Sequence, residues 1–185
     1  MNLINRPKRA RRSRSFVKDR RGLAAIEFAL IAPVMILIYL GGVELSQGIA
    51  LKRMVALTAS TVTNLVAQYT TISASTQMPD ILDASSQVLA PYPASKATVT
   101  ISAIQIDNAG KATVAWSQSL NGTPRPTGEL MTVPAALDVP NTTILFGETS
   151  YDYTPVIDFL DQGNFTLYSS IYMYPRASSS INLVQ

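Results

Sequence analysis

The chain has 185 residues, a formal net charge of +3, and neither Cys nor His. This excludes disulfides, thiolate chemistry, histidine-based triads and the common zinc sites. The charge is polarised. Arg6, Lys8, Arg9, Arg11, Arg12, Arg14, Lys18, Arg20 and Arg21 all precede Gly22, opposed only by Asp19, so the rest of the chain is net acidic.

A basic block of this kind binds nucleic acid in some settings. Here it abuts an apolar segment, where it reads instead as a topology signal that attracts anionic lipid. Membrane lipid is therefore an expected partner and nucleic acid is not. Residues 23–43 form an apolar run interrupted by one charge, Glu27. A hydrocarbon core about 30 Å thick needs about 20 helical residues, so this run predicts a transmembrane helix. The flanking Lys and Arg predict a cytoplasmic N-terminus, with the C-terminal domain on the other side. A buried core helix and a cleaved signal peptide are the alternatives. The run is longer than the usual ~7–15 residues of a signal peptide, and no small-x-small site ends it. Around Arg14-Ser15-Phe16-Val17-Lys18 a twin-arginine signal would need a second arginine where Ser13 stands.

The helical pattern continues past Val43. Leu51, Val55, Thr58, Val62, Leu65, Val66 and Tyr69 recur at spacings of three and four, which places them on one face. One helix from Leu23 to about Tyr69 is predicted, apolar all round at first and amphipathic afterwards. Pro33 removes a backbone donor and predicts a kink. Thr70 to Thr76 reads as a loop, and Asp80 as the cap of a short helix ending at Leu89 before Pro91.

Strands follow. Ala97, Val99, Ile101 and Ala103 alternate with polar residues, and the apolar phase then switches to Ile104 and Ile106, which suggests a bulge. Asp107 to Gly110 is a turn, and Ala112, Val114 and Trp116 alternate on the return strand. Asn121 to Gly128 is a loop. Thr142 to Tyr153 and Phe165 to Tyr174 form a second strand pair, giving four antiparallel strands. Ala177 to Gln185 reads as a loose tail. The fold class is thus α+β, with the long helix covering a small antiparallel sheet. The predicted organisation is a basic leader (1–22), a transmembrane helix (23–43), an amphipathic extension (44–70) and an exported α+β domain (71–185).

The junction of leader and helix, Gly22-Leu23-Ala24-Ala25-Ile26-Glu27-Phe28, is the most informative stretch. A charge in hydrocarbon costs at least ~2.5 kcal/mol, so Glu27 either snorkels to water or has a partner. Cleavage after Gly22 would create an α-amino group on Leu23, one turn from Glu27. An ion pair with that amine, in the same or a neighbouring subunit, would neutralise the carboxylate and set axial register.

Gly22 followed by four residues, Glu27 and Phe28 resembles the prepilin-peptidase site of the Flp/Tad branch of type IV pili. Residues 24–46 are similar to the opening of TadE-like minor pilins. Lys111 to Ser117, Gly147 to Pro155 and Tyr172 to Ser178 also resemble TadE-like patterns; within them Trp116, Glu148, Tyr151, Tyr153, Pro155, Pro175 and Arg176 match without an assigned role. The resemblance implies a pilin-like fold, cleavage after Gly22 by a membrane aspartyl (prepilin) peptidase, and a periplasmic domain. Its implied partners are a major Flp-type pilin, other minor pilins and an inner-membrane assembly platform. Major pilins of this branch carry Tyr after the Glu and a very short mature chain. Phe28 and the length of residues 23–185 depart from that and imply a minor subunit.

No catalytic, cofactor or metal role is expected for any residue. Glu148, Asp152, Asp158 and Asp161 lack a metal-loop pattern and read as solvated carboxylates. Arg176 is a candidate ion-pair partner for one of them. Tyr151 and Tyr153 fall on one side of a strand and read as packing residues. Competing readings are an uncleaved anchor presenting an interaction or adhesion domain, and an exported enzyme; the latter lacks a convergent polar cluster in the sequence.

Overall fold

A computed structural model describes residues 21–155 and 163–185. Asp158, Asp161 and the basic leader before Arg21 lie outside the described residues. The chain divides into two units at Gly42/Val43.

Helix α1 (Arg21–Ala67) runs unbroken through Pro33. Up to Gly42 its side chains are exposed on almost all sides, including Phe28, Leu30 and Ile38 at 71% each. This part contains a stretch long and apolar enough to cross a membrane. Beyond Val43, Leu51, Val55, Ala59, Val62 and Val66 are fully buried, at the three- and four-residue spacings of one helical face. Leu65 and Tyr69 only flank the core. The helix stops two residues short of Tyr69 because its last carbonyls are taken elsewhere. Gln68 and Tyr69 N–H groups bond three residues back, and the Arg176 N–H donates to Ala67 O at 2.8 Å.

The stretch after α1 is not a plain loop. β1 (Thr71–Ser73) pairs in parallel with β6 (Asn182–Val184) at the end of the chain. The C-terminal segment is correspondingly not loose. Ile181 is buried, and its carbonyl accepts the Trp116 Nε1–H at 2.7 Å. Helix α2 (Gln77–Leu89) begins earlier than expected. Thr76 occupies its N-cap position without a side-chain cap bond, and Asp80 lies inside the first turn, where it favours the helix dipole.

β2 (Ala97–Ile106), β3 (Ala112–Leu120), β4 (Thr142–Tyr153) and β5 (Phe165–Met173) form an antiparallel sheet in the order β3-β2-β4-β5. The turn between β2 and β3 is held by Asp107, whose Oδ1 accepts from the Ala109 and Lys111 N–H groups at 2.8 and 2.9 Å. Gly110 takes φ +77° there, a conformation glycine adopts without cost.

The bulge exists, but on the other strand. β2 pairs with β4 without interruption, whereas its pairing with β3 jumps from Ala103↔Trp116 to Ile104↔Val114, leaving Ala115 as the extra residue. The apolar phase of β2 switches because its sheet has two covered faces. Val99, Ile101 and Ala103 face α1, while Ile104 and Ile106 join Ala112, Ile144 and Phe146 in a cluster on the opposite face. The bulge lets Ala112 and Val114 serve that second face and Trp116 the first.

Candidate functional site

In the first unit, the predicted processing and assembly residues lie at the start of α1. Gly22, Leu23, Glu27 and Phe28 are all exposed helical residues. Leu23 and Glu27 are four positions apart, about one turn. A Cβ at Gly22, Gly41 or Gly42 would meet nothing within 4 Å, so this helix surface is open to neighbours along its length.

In the second unit, the sheet face opposite α1 carries a polar cluster. Its cause is the alternation of β4. Leu145, Tyr151 and Tyr153 point to the α1 side, leaving Phe146, Glu148 and Ser150 on the other. Glu148 does not behave as a solvated carboxylate: its side chain is 15% exposed. Arg125, from the loop after β3, donates from Nε to Oε2 at 3.1 Å and from Nη2 to Oε1 at 2.9 Å. The Tyr168 hydroxyl of β5 donates to Glu148 Oε1 at 2.8 Å. Such bidentate, charge-assisted bonds are the strong ones, and they pin the 123–129 loop to the sheet. The Glu148 hydrogen bond raises the Arg125 pKa, opposed by partial desolvation. Burial pushes the Tyr168 hydroxyl upward; a bond with Ser170 opposes this and the bond to Glu148 adds to it. The guanidinium also lies 5.8 Å from the centre of the Phe146 ring, which stacks on Tyr172 at 4.4 Å. Beside this pair is an open groove of about 260 Å³, with Thr98, Thr100, Thr123 and Ser150 completing its lining.

Residues 22–63 match the family model of TadE-like proteins. This helix is TadE-like. No curated protein and no solved structure matches the chain. The TadE-like match points to involvement in a Tad pilus system.

The matched stretch spans the exposed part of α1 and most of the part that the sheet covers. The motif residues of the later strands lie beyond the TadE-like stretch, and Trp116, Tyr151 and Tyr153 among them are buried in the core. Trp116 ties down the C-terminal segment, and Glu148 holds Arg125. Tyr151 meets Tyr92 edge-on, with ring centres 6.3 Å apart. Pro155 and Pro175 each stand two residues past the end of a strand, where a residue without an N–H cannot extend the ladder. Arg176 contributes its backbone N–H to the end of α1; the ion pair that Glu148 makes is with Arg125 instead.

Two residues escaped the sequence. Arg125 is one. Glu44 is the other: it follows the apolar run directly, and Tyr153 Oη donates to its Oε1 at 2.5 Å. The pair joins the TadE-like helix to β4. Burial first, and the Glu44 bond second, push the Tyr153 hydroxyl pKa up to about 12. The available signal was a carboxylate at the end of a hydrophobic helix together with a tyrosine on the apolar side of a strand.

Proposed function

We propose that this chain is a minor pilin-like subunit of a Tad-type pilus, made as a precursor and cut after Gly22 by a prepilin peptidase. The TadE-like match, which begins at Gly22, carries the reading. It is supported by the position of Glu27 one turn beyond Leu23 on an exposed apolar helix. Cleavage would give Leu23 a free α-amino group. Glu27 would pair with that amine, in its own or a neighbouring subunit, and so offset the cost of a carboxylate among apolar helices. The role is structural rather than catalytic. The basic leader keeps the N-terminus cytoplasmic, the domain after the apolar run sits in the periplasm, and the mature chain passes through an inner-membrane platform into a pilus with a major Flp-type pilin.

The test is the N-terminal peptide of the protein recovered from membranes, identified by mass spectrometry with and without the peptidase. A peptidase-dependent terminus at Leu23 is expected. A terminus near Met1 in both cases would overturn the pilin reading in favour of a permanently anchored interaction protein. Glu27→Gln is expected to insert normally but to reach purified pili at least ten-fold less than the parent chain; undiminished incorporation would remove Glu27 from assembly.

A further inference from the structure

The two terminal strands of the sheet are treated differently. The outer edge of β3 is covered at its start by the 128–131 segment. Val114 N–H donates to Glu129 O at 2.9 Å, and Met131 N–H to Ala112 O at 3.0 Å. Among the described residues nothing pairs with the outer edge of β5. Open edges are ordinarily blunted by lysines, prolines, bulges or shortness, because their free N–H and C=O groups recruit another strand. β5 has none of these devices. It is nine residues long, contains no charged residue and no proline, and pairs with β4 without a register break.

We propose that this edge pairs with β5 of a second copy of the chain, antiparallel and about a two-fold axis at Ser169. The strand is self-complementary in that register alone. Phe165 falls opposite Met173 and Leu167 opposite Ile171 on the face that carries α1, while Tyr168 falls opposite Ser170 on the other. Apolar residues meet apolar residues, and no like charges oppose each other. A slip of two residues either way sets Leu167 or Ile171 against Ser169 and leaves a strand end unpaired. A slip of one turns every side chain to the wrong face. The result is an isologous dimer whose two sheets become one, with both copies' covered helices on the same face. This inference does not depend on the pilus reading, since it uses only the sheet.

The chain has no Cys, so one introduced thiol reports on register without background. In the full chain in detergent, Ser169→Cys is expected to give at least ten-fold more covalent dimer with a short bis-maleimide than Thr166→Cys. Two copies of position 166 would lie six residues apart along the strands, roughly 20 Å at about 3.4 Å per residue. Mixing Thr166→Cys chains with Tyr172→Cys chains should restore the cross-link. On the Ser169→Cys background, Tyr168→Lys with Ser170→Lys sets lysine against lysine and should abolish it. Adding a partner chain with Ser169→Cys, Tyr168→Glu and Ser170→Glu should bring it back as a heterodimer. Trp116 fluorescence checks that each variant is folded. Equal cross-linking at 169 and 166, no cross-link from folded Ser169→Cys, or a cross-link that survives the lysines would each overturn the proposal.

Discussion

The two parts of α1 share one backbone and differ in everything their side chains meet. From Gly22 to Gly42 the helix is apolar and exposed on nearly every side; from Leu51 to Ala67 it buries one face and keeps Lys52 and Arg53 exposed on the others. A helix that is apolar all round needs an apolar surrounding, whereas an amphipathic one needs only a partner on one side. The first part is therefore written for lipid or for neighbouring helices, and the second for its own sheet. A polar substitution should consequently damage a different property in each part.

The largest expected effect exploits this. Val62→Asp places a carboxylate at a fully buried position in the core cluster that includes Val99, Ile101 and Leu145. An unpaired buried charge costs several kcal/mol, a large share of a domain's total stability of ~5–15 kcal/mol. The full chain in detergent should lose its cooperative urea transition, followed through Trp116. Ile38→Asp should leave that transition unchanged, because residue 38 is 71% exposed. It should instead lower the membrane-associated fraction, at about 2.5–3.5 kcal/mol for Asp at a helix centre. If both variants unfolded the domain, or both left it intact, the division of α1 into two environments would fail.

Much of this was legible in advance because periodicity is a strong signal over long elements. The apolar run, the three-and-four spacing through Val66, and the alternation of Thr142 to Tyr153 each span enough residues to declare their partner surface. What was missed depends on distant pairing. β1 and β6 are three residues each, too short for a period, and each exists because the other is there. Trp116 offered a usable hint, since a buried indole N–H needs an acceptor, but nothing local names Ile181 as that acceptor. The Ile104 phase switch suggests a bulge, but β2 itself is regular and the extra residue is Ala115 of β3: a second covered face changes the pattern just as a bulge does. Arg125 was hidden for a similar reason. Only a loop folded over the sheet brings it to Glu148.

A smaller effect sharpens the comparison at the backbone. Gly147 of β4 packs directly under α1, where an added Cβ would fall on Thr63 Oγ1 and lie 3.2 Å from Ile101 Cδ1. Thr63 cannot easily yield, because its hydroxyl is buried and donates to Ala59 O at 2.6 Å. Gly147→Ala should therefore destabilise by about 3 kcal/mol, the upper end for overpacking. Gly42→Ala meets open space and should instead favour the helix by about 1 kcal/mol. Urea midpoints report the first, and helical content by circular dichroism the second. A neutral Gly147→Ala would mean that α1 is not seated closely on β4.

The smallest effect concerns the start of the covered part, where Tyr153 donates to Glu44. Tyr153→Phe should cost about 1 kcal/mol at neutral pH, the net worth of one hydrogen bond. Its sharper signature is at alkaline pH. The Tyr153 hydroxyl is raised from 10.0 to about 12 in the folded chain, so folding favours the protonated form. That contribution is complete below pH 10 and is lost as the pH rises through about 12, because the unfolded chain releases its proton first. The loss amounts to on the order of 3 kcal/mol at about 1.4 kcal/mol per unit. Tyr151, Tyr168 and Tyr172 are also raised by burial and should leave a residual slope of the same sign in the variant. Stability measured between pH 9 and 12 should thus fall less steeply for Tyr153→Phe than for the parent chain. Equal slopes would mean that the hydroxyl is solvated in the folded chain, and the tie between β4 and the helix at Glu44 would have to be discarded.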